Sequence, residues 1–249
     1  MLLGITAVVL LPLQLIVLAL PGSSLRGARP DRTADILIGS LDQPSAVGNA
    51  FGTLFFESIA LFTVATIYGH LASIWYSRGS ISGEDLLIAS IKRSPLIVAT
   101  WALTHLVLIV GGLLSFGIAV IVLGPLFMLV APVMGAERLG VGESIKRSWS
   151  LGSNRFVAAV VLYVAVAAAG QIIDASVRFA PTFILSQVNV PVWITNGVFD
   201  VIGSIVVQSF TAATAVVFYL DARVRREGID LTMAVGEKFA PSRNRVRRG

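Results

Sequence analysis

The sequence contains no cysteine and unusually little charge. With no cysteine among its 249 residues, the chain can form neither disulfides nor thiolate metal sites, and it has no thiol nucleophile. Charged residues make up 13% of the chain, whereas they make up about 25% of an ordinary soluble domain. Histidine occurs only twice. So few charges cannot solvate a globule of this size, which excludes an ordinary soluble protein.

Long apolar runs occupy most of the sequence instead. Hydrophobic residues make up 55% of it, and the mean hydropathy is +0.84. A transmembrane helix needs about 20 apolar residues to cross a hydrocarbon core of about 30 Å. We therefore predict an all-α, polytopic membrane protein with one transmembrane domain over residues 1–220, followed by a basic cytoplasmic tail over residues 221–249 whose distal part is disordered. The six predicted spans, paired in order as three hairpins, are residues 1–20, 50–76, 95–110, 117–135, 155–173 and 197–220.

Two segments of the chain resemble each other. Residues 83–98 and 142–157 align without gaps, and each opens with Gly-Glu, continues as a short amphipathic stretch bearing Lys and Arg, and leads into an apolar run. Such stretches are typical of helices that lie in the membrane interface. We predict two interfacial helices, one at residues 80–94 with Ser82 as its N-cap, and one at residues 139–150.

Two of the predicted spans have unusual compositions. The fourth contains Pro125 and Pro132, which should bend it at a place where neighbouring helices satisfy the freed carbonyl groups. The fifth is rich in alanine, and small residues allow helices to approach closely in lipid. We expect the fifth span to be a central packing helix. Residues 174–193 are expected to form the loop that follows it, with a short helix around residues 183–187.

The distribution of lysine and arginine predicts the orientation. Of the 19 lysine and arginine residues, 15 follow the second, fourth and sixth spans, and four lie in the loops on the opposite side. Because cytoplasmic loops carry the excess of positive charge, both interfacial helices and both chain termini are predicted to be cytoplasmic, in a cell membrane. The net charge of +5 then reflects membrane topology, so we do not expect nucleic acid as a partner.

Two polar segments carry a resemblance to a known family. Residues 137–156, ERLGVGESIKRSWSLGSNRF, and residues 219–231, YLDARVRREGIDL, resemble signatures of the glycerophosphoryl diester phosphodiesterase membrane-domain family. The similarity covers most of the chain from the second span onward. It implies a multi-pass protein of the bacterial cell envelope, since the family is common in actinobacteria and other Gram-positive bacteria. Members usually carry a cytoplasmic helix before the first span, so we expect the native chain to start earlier.

The family's name implies an activity that the residues do not support. It comes from members fused to a phosphodiesterase domain, which this sequence does not contain. Such hydrolysis needs a metal held by carboxylates and general acid–base groups, whereas the two histidines, His70 and His105, are far apart within apolar runs. We find no catalytic, cofactor or metal-binding motif. We therefore predict a protein that is not an enzyme, and a membrane-embedded enzyme is kept as a third alternative.

Four polar residues lie in or beside the predicted spans. A carboxylate in a membrane is by default a functional candidate. Counting 20 residues back from the cytoplasmic ends of their helices, however, makes Glu57 and Asp200 two equivalent acids at the outer boundary. His105 is predicted near the midplane, where it acts in a proton relay or is neutral and hydrogen-bonded to a neighbouring helix. His70 is expected near the inner headgroups.

The cytoplasmic side provides a second set of candidates. The arginines of the tail attract anionic lipid headgroups, or they merely anchor the last span. The run Glu-Gly-Ile-Asp-Leu at residues 227–231 exceeds what an anchor needs, so we predict that it docks on the cytoplasmic surface with Asp230 near Lys146 or Arg147. The candidates for docking or lipid contact are Lys146, Arg147, Asp221, Arg223, Arg225, Arg226, Glu227, Gly228 and Asp230.

The scarcity of polar groups within the spans favours a non-enzymatic component. We predict a scaffold or accessory subunit of the bacterial cell envelope that works with a membrane protein partner or with membrane lipids. The alternative is a transporter or lipid-handling protein, with which the repeat, the bent fourth span and the midplane histidine are compatible. The two predictions differ in the effect expected of His105→Ala. In a transporter, this change should abolish transport with little loss of stability. In a scaffold, it should alter the stability or have no effect.

Overall fold

A computed structural model describes residues 1–19, 44–77, 79–186 and 192–228. Within these ranges the protein is helical, with turns between the helices and no β-strand. The helices in chain order are α1 (Leu2–Ala19), α2 (Pro44–Tyr76), α3 (Gly83–Lys92), α4 (Ser94–Leu114), α5 (Ile118–Phe127), α6 (Val130–Glu137), α7 (Val141–Ser153), α8 (Phe156–Ser186) and α9 (Val192–Glu227).

Five segments of the described chain are helical, long and apolar enough to cross a membrane. The third of them combines α5 and α6. Helix α1 contributes a further apolar segment, Leu2–Gln14, which is shorter. The protein is therefore an all-α, multi-pass membrane protein, which confirms the predicted class. The five segments are Leu54–Tyr76, Ser94–Leu114, Ile118–Glu137, Phe156–Val177 and Val198–Glu227.

The fourth predicted span is divided in two. A turn at residues 128–129 separates α5 from α6. Pro132 accounts for this break, because it has no N–H to donate to the carbonyl of Met128 and its ring crowds that carbonyl. Beside the break, the hydroxyl of Ser148 on α7 donates to the carbonyl of Leu126. A neighbouring helix thus satisfies one carbonyl beside the bend, whereas a partner for the Met128 carbonyl that Pro132 frees stays a prediction.

Two helices extend further than the sequence indicated. The prediction of a loop at residues 174–193 is wrong for residues 174–186, which continue α8, and α9 continues past Leu220 to Glu227. Hydropathy falls where a helix leaves the membrane, but the helix ends only where its backbone hydrogen bonds end. The start of the predicted tail consists mostly of good helix formers. Gly228, with a φ of 58°, then ends α9 in the left-handed conformation that glycine favours.

Helix α2 lies at the centre of the bundle, in contact with α1, α4, α6 and α9. Its buried face includes Val64 and Tyr68. The closest approach is to α6, where a Cβ added to Gly135 would lie 1.9 Å from the backbone oxygen of Thr66. Helices α2 and α6 therefore pack backbone against backbone, which small residues make possible in membrane proteins.

The alanine-rich helix α8 is not the central helix. Only 17% of the residues in the most apolar stretch of Phe156–Val177 are buried, compared with 44% in that of Leu54–Tyr76 of α2. Ala165, Ala167 and Ala168 are all exposed. The prediction of a central packing helix is therefore wrong. Small residues permit close packing, but these three side chains make little contact with other helices and remain exposed.

The two short amphipathic helices occur where the repeat predicts them. The hydroxyl of Ser82 accepts a hydrogen bond from the backbone N–H of Asp85 at 3.0 Å, which confirms the N-cap of α3. Helix α7 buries Ser144 and Ser148 and leaves Trp149 47% exposed, as an interfacial helix would. Each is followed directly by a long apolar helix, α3 by α4 and α7 by α8.

Candidate functional site

A cavity of about 460 Å³ lies between α2, α4, α5, α6, α8 and α9. This volume falls within the range of about 300–1,000 Å³ typical of small-molecule sites. Its walls belong to the segments that are long enough to cross a membrane. The cavity is therefore inside the membrane-embedded part of the bundle. Most of its lining is apolar, and the polar residues include Glu57, Thr104, His105, Tyr163, Gln171 and Asp174.

His105 lines this cavity from the middle of α4. Its Nδ1 is 2.9 Å from the carbonyl oxygen of Trp101, one turn earlier in the same helix. The predicted bond to a neighbouring helix is therefore wrong. Because a carbonyl can only accept, Nδ1 carries the proton and Nε2 is an acceptor. The Trp101 ring lies 5.0 Å from the imidazole and holds it beside the cavity, where Nε2 can accept a hydrogen bond from a ligand.

The two acids predicted to be equivalent occupy different places. Glu57 on α2 lines the cavity, and the hydroxyl of Ser204 on α9 donates to its Oε1 at 3.4 Å. The side-chain amide of Gln208 also donates to the Glu57 backbone carbonyl, at 3.3 Å. Asp200 is half-buried on α9 and does not line the cavity. Of the two, only Glu57 can contact a ligand there.

Sequence reasoning missed the contribution of α8. Tyr163, Gln171 and Asp174 line the cavity, but the first two were passed over within an apolar run and the third was assigned to a loop. Together with Ala167 they recur at helical spacing, so they share one face of α8. That periodicity was the signal that could have identified them. A partly polar stripe on the cavity wall provides hydrogen-bonding groups that a packing surface does not need.

Charged side chains join α6, α7 and α9 at one end of the bundle. Arg147 on α7 donates from Nε to both carboxylate oxygens of Glu137, at 3.0 and 3.1 Å, and from Nη2 to Glu227. Arg223 donates to Glu227 at 3.0 Å and to the Tyr219 hydroxyl at 2.9 Å. Tyr219 in turn donates to Glu137 at 3.0 Å. Two arginines thus share two carboxylates, and the charges of this network balance.

The electrostatics of Arg147 indicate a structural role for this network. Burial lowers the pKa of Arg147, but its hydrogen bond to Glu227 and the negative charge of Glu137 raise the pKa by more, so that it lies above its ordinary value. Arg147 therefore stays charged and paired. A network that is this well satisfied holds the amphipathic helix α7 against α9, and it leaves no reactive group.

The beginning of the predicted tail docks on the bundle through several of the predicted candidates. Asp221 accepts hydrogen bonds from Arg155 and, at 2.8 Å, from Arg225, while Arg226 donates to the carbonyl of Ser150. Glu227 contacts Arg147, and the contact predicted for Asp230 lies outside the described residues. Lys146 is exposed and Gly228 ends α9.

His70 lies apart from the cavity. It is buried in α2, and Arg138 donates from Nη2 to its Nε2 at 3.3 Å. It lines a second, smaller pocket. In the part of the chain that the structure describes, no three His, Asp or Glu side chains gather as ligands of a metal ion would.

Comparisons with protein-family models, with curated proteins and with solved structures found no match to this chain. The resemblance to the glycerophosphoryl diester phosphodiesterase membrane-domain family therefore stays a prediction. The function has to be argued from the geometry of the site itself.

Proposed function

We propose that this protein binds an amphipathic molecule from the surrounding membrane, such as a lipid, and transports or otherwise handles it. The observation that carries the proposal is the cavity of about 460 Å³ between helices of membrane-spanning length. The cavity is open on the side of α8, where Ala167 and Gln171 of its wall are exposed, so a molecule from the surrounding lipid can enter it.

The lining of the cavity suits a ligand with an apolar chain and a polar group. Leu61, Phe62 and Leu108 provide apolar walls. An acyl chain that moves from the lipid phase to these walls stays in an apolar environment, so its transfer has no cost in hydrophobic free energy. Polar side chains placed among such walls orient a ligand and provide specificity. Nε2 of His105 can accept a hydrogen bond, and the hydroxyl of Tyr163 can donate one. These two groups lie on different helices, α4 and α8, and both line the cavity.

The carboxylates on the cavity wall favour one type of polar group. Glu57 and Asp174 both line the cavity, and carboxylate oxygens accept hydrogen bonds. A headgroup that presents hydroxyl or amino groups can therefore donate to this wall.

We also propose the finer topology that the sequence predicts. Helix α1 covers 18 residues, or about 27 Å at 1.5 Å per residue, which is close to the thickness of a hydrocarbon core. As a sixth span it would form a hairpin with α2, followed by hairpins of α4 with α5–α6 and of α8 with α9. The excess of lysine and arginine beside α3, α7 and the end of α9 supports a cytoplasmic location for these segments in a cell membrane.

The prediction of a scaffold or accessory subunit stays a prediction. The charged network of α7 and α9 is satisfied within the chain, so it gives no specific support to a protein partner. The absence of an enzymatic activity likewise stays a prediction. The cavity is the feature that makes lipid handling the better-supported proposal.

The proposal is tested by filling the cavity. Ala167 lines the cavity, whereas the neighbouring Ala168 does not, and both are exposed on α8. Ala167→Trp should therefore displace the ligand, while Ala168→Trp places the same side chain on the outer face. Native mass spectrometry of protein extracted with its own lipids should show one ligand retained stoichiometrically by the unaltered protein and by Ala168→Trp, and lost from Ala167→Trp.

Two outcomes would contradict the proposal. Equal lipid retention by all three proteins would mean that the lipids bind the outer surface and that the cavity is not a site. A stoichiometric protein partner, with no ligand that depends on position 167, would favour the scaffold instead. Thermal unfolding of the variants in one detergent serves as the control for folding.

A further inference from the structure

A pocket of about 240 Å³ between α2, α3, α4 and α6 carries positive charge and no negative charge. It lies at the end of the bundle where α3 meets α4, away from the large cavity. No aspartate or glutamate is among its lining residues. The polar residues that line it are Thr66, His70, Ser90, Lys92, Arg93 and Arg138.

The cations of this pocket lack carboxylate partners within the described chain. Arg93 donates to the backbone carbonyl of Leu139 at 3.0 Å, and Arg138 donates to His70 at 3.3 Å. Neither bond neutralises charge. In the network of α6, α7 and α9, by contrast, both arginines are paired with carboxylates. Burial lowers the pKa of Arg93, and the nearby charge of Arg138 lowers it further, so the two guanidinium groups repel each other.

His70 lies buried at the wall of this pocket. Its side chain is 9% exposed, and its Nδ1 has no hydrogen-bond partner in the described chain. Because the guanidinium of Arg138 can only donate, Nε2 of His70 is the acceptor and Nδ1 carries the proton. Nδ1 is itself buried away from the pocket space, so His70 contributes to the pocket through Nε2, which holds the guanidinium of Arg138 at its wall.

The backbone at Arg138 brings its side chain to the pocket. Arg138 has a φ of 54°, the left-handed conformation in which many helices end. This conformation ends α6 and brings the guanidinium to His70.

We propose that the pocket formed by His70, Lys92, Arg93 and Arg138 binds a phosphate group. Guanidinium and ammonium groups are the usual ligands of phosphate, and charge-assisted hydrogen bonds hold it. Lys92 ends the amphipathic helix α3 and Arg93 precedes the long apolar helix α4, so the pocket lies at the membrane boundary, where lipid phosphates are found. The phosphate comes from a lipid headgroup or from solution. This site is independent of the large cavity and of the function proposed for it.

The test uses two probes and matched variants of the full chain. Inorganic phosphate and dioctanoyl phosphatidylglycerol are titrated calorimetrically into the detergent-solubilised protein, with dioctanoylglycerol as the lipid control without phosphate. Arg138→Gln should weaken binding about tenfold or more, since it removes a charge-assisted bond. Lys92→Gln, at an exposed position, should weaken it about fivefold. Lys146→Gln removes an equally exposed charge outside the pocket and should change nothing.

The outcomes separate the two sources of phosphate. Binding of the phospholipid alone assigns the pocket to a lipid headgroup, and binding of inorganic phosphate as well assigns it to the phosphate group itself. Failure of both probes to bind, or binding that Lys146→Gln weakens as much as Lys92→Gln, would overturn the proposal. If Arg138→Gln does not fold, the comparison of the two lysine variants still decides. Ala167→Trp should leave phosphate binding unchanged, so failure here is distinct from failure of the cavity proposal.

Discussion

Replacing Gly135 by alanine tests the packing of α2 on α6. Both helices contribute to the walls of both pockets. The added Cβ would lie 1.9 Å from the backbone oxygen of Thr66 and 2.8 Å from its carbonyl carbon, whereas ordinary contact begins at 3.4 Å. The helices would have to separate by about 1.5 Å, since a backbone oxygen cannot rotate away as a flexible side chain can. Overpacking of this kind costs about 1–3 kcal/mol, and we expect the upper end of that range.

The control is Gly142→Ala on α7, where an added Cβ meets nothing within 4 Å. Alanine is the better helix former by about 1 kcal/mol, so this variant should be unchanged or slightly more stable. In a chain of this size, a loss of 3 kcal/mol lowers Tm by about 6–12 °C. Thermal unfolding in one detergent measures both variants. If Gly135→Ala melted at the same temperature as Gly142→Ala, the backbone-to-backbone contact of α2 and α6 would be wrong.

Two further substitutions test the charged network and the bend. Glu137→Gln should lower the free energy of unfolding by about 1–2 kcal/mol, because it leaves two arginines with one carboxylate in a half-buried network. Glu84→Gln removes an exposed carboxylate from the first turn of α3 and should cost less, about 0.5 kcal/mol. Equal losses would refute the role of the network. Ser148→Ala should cost about 1–3 kcal/mol in thermal or denaturant unfolding, since it leaves the Leu126 carbonyl unsatisfied at the break between α5 and α6. A loss no larger than that of Ser176→Ala on the exposed face of α8 would contradict this reasoning.

The features predicted correctly from the sequence depend on local physics. Composition and apolar run length identify a multi-pass helical protein, because the cost of exposing polar backbone in lipid applies to every span alike. The cap at Ser82 and the interruption near Pro132 follow from hydrogen-bond rules that act within one or two helical turns. The repeat likewise identified both short helices before the structure showed them.

The features that were missed depend on contacts between distant segments. Hydropathy predicts a loop at Asp174 because it measures apolar character and does not detect helices that continue beyond the membrane. The alanines of α8 permit close packing without requiring it, and several of them remain exposed. The docking of the tail on α7 was anticipated, and Glu227 reaches Arg147 because α9 remains helical to that position. The pockets themselves require the three-dimensional arrangement of four or more helices.

The most direct test of lipid handling is an experimental structure of the protein determined in its native lipids. The account predicts one elongated molecule in the cavity, with a polar group within hydrogen-bond distance of Nε2 of His105 and a chain against Leu108 and Phe62. A cavity filled by side chains or by water alone, with lipid found only on the outer surface of the bundle, would contradict it.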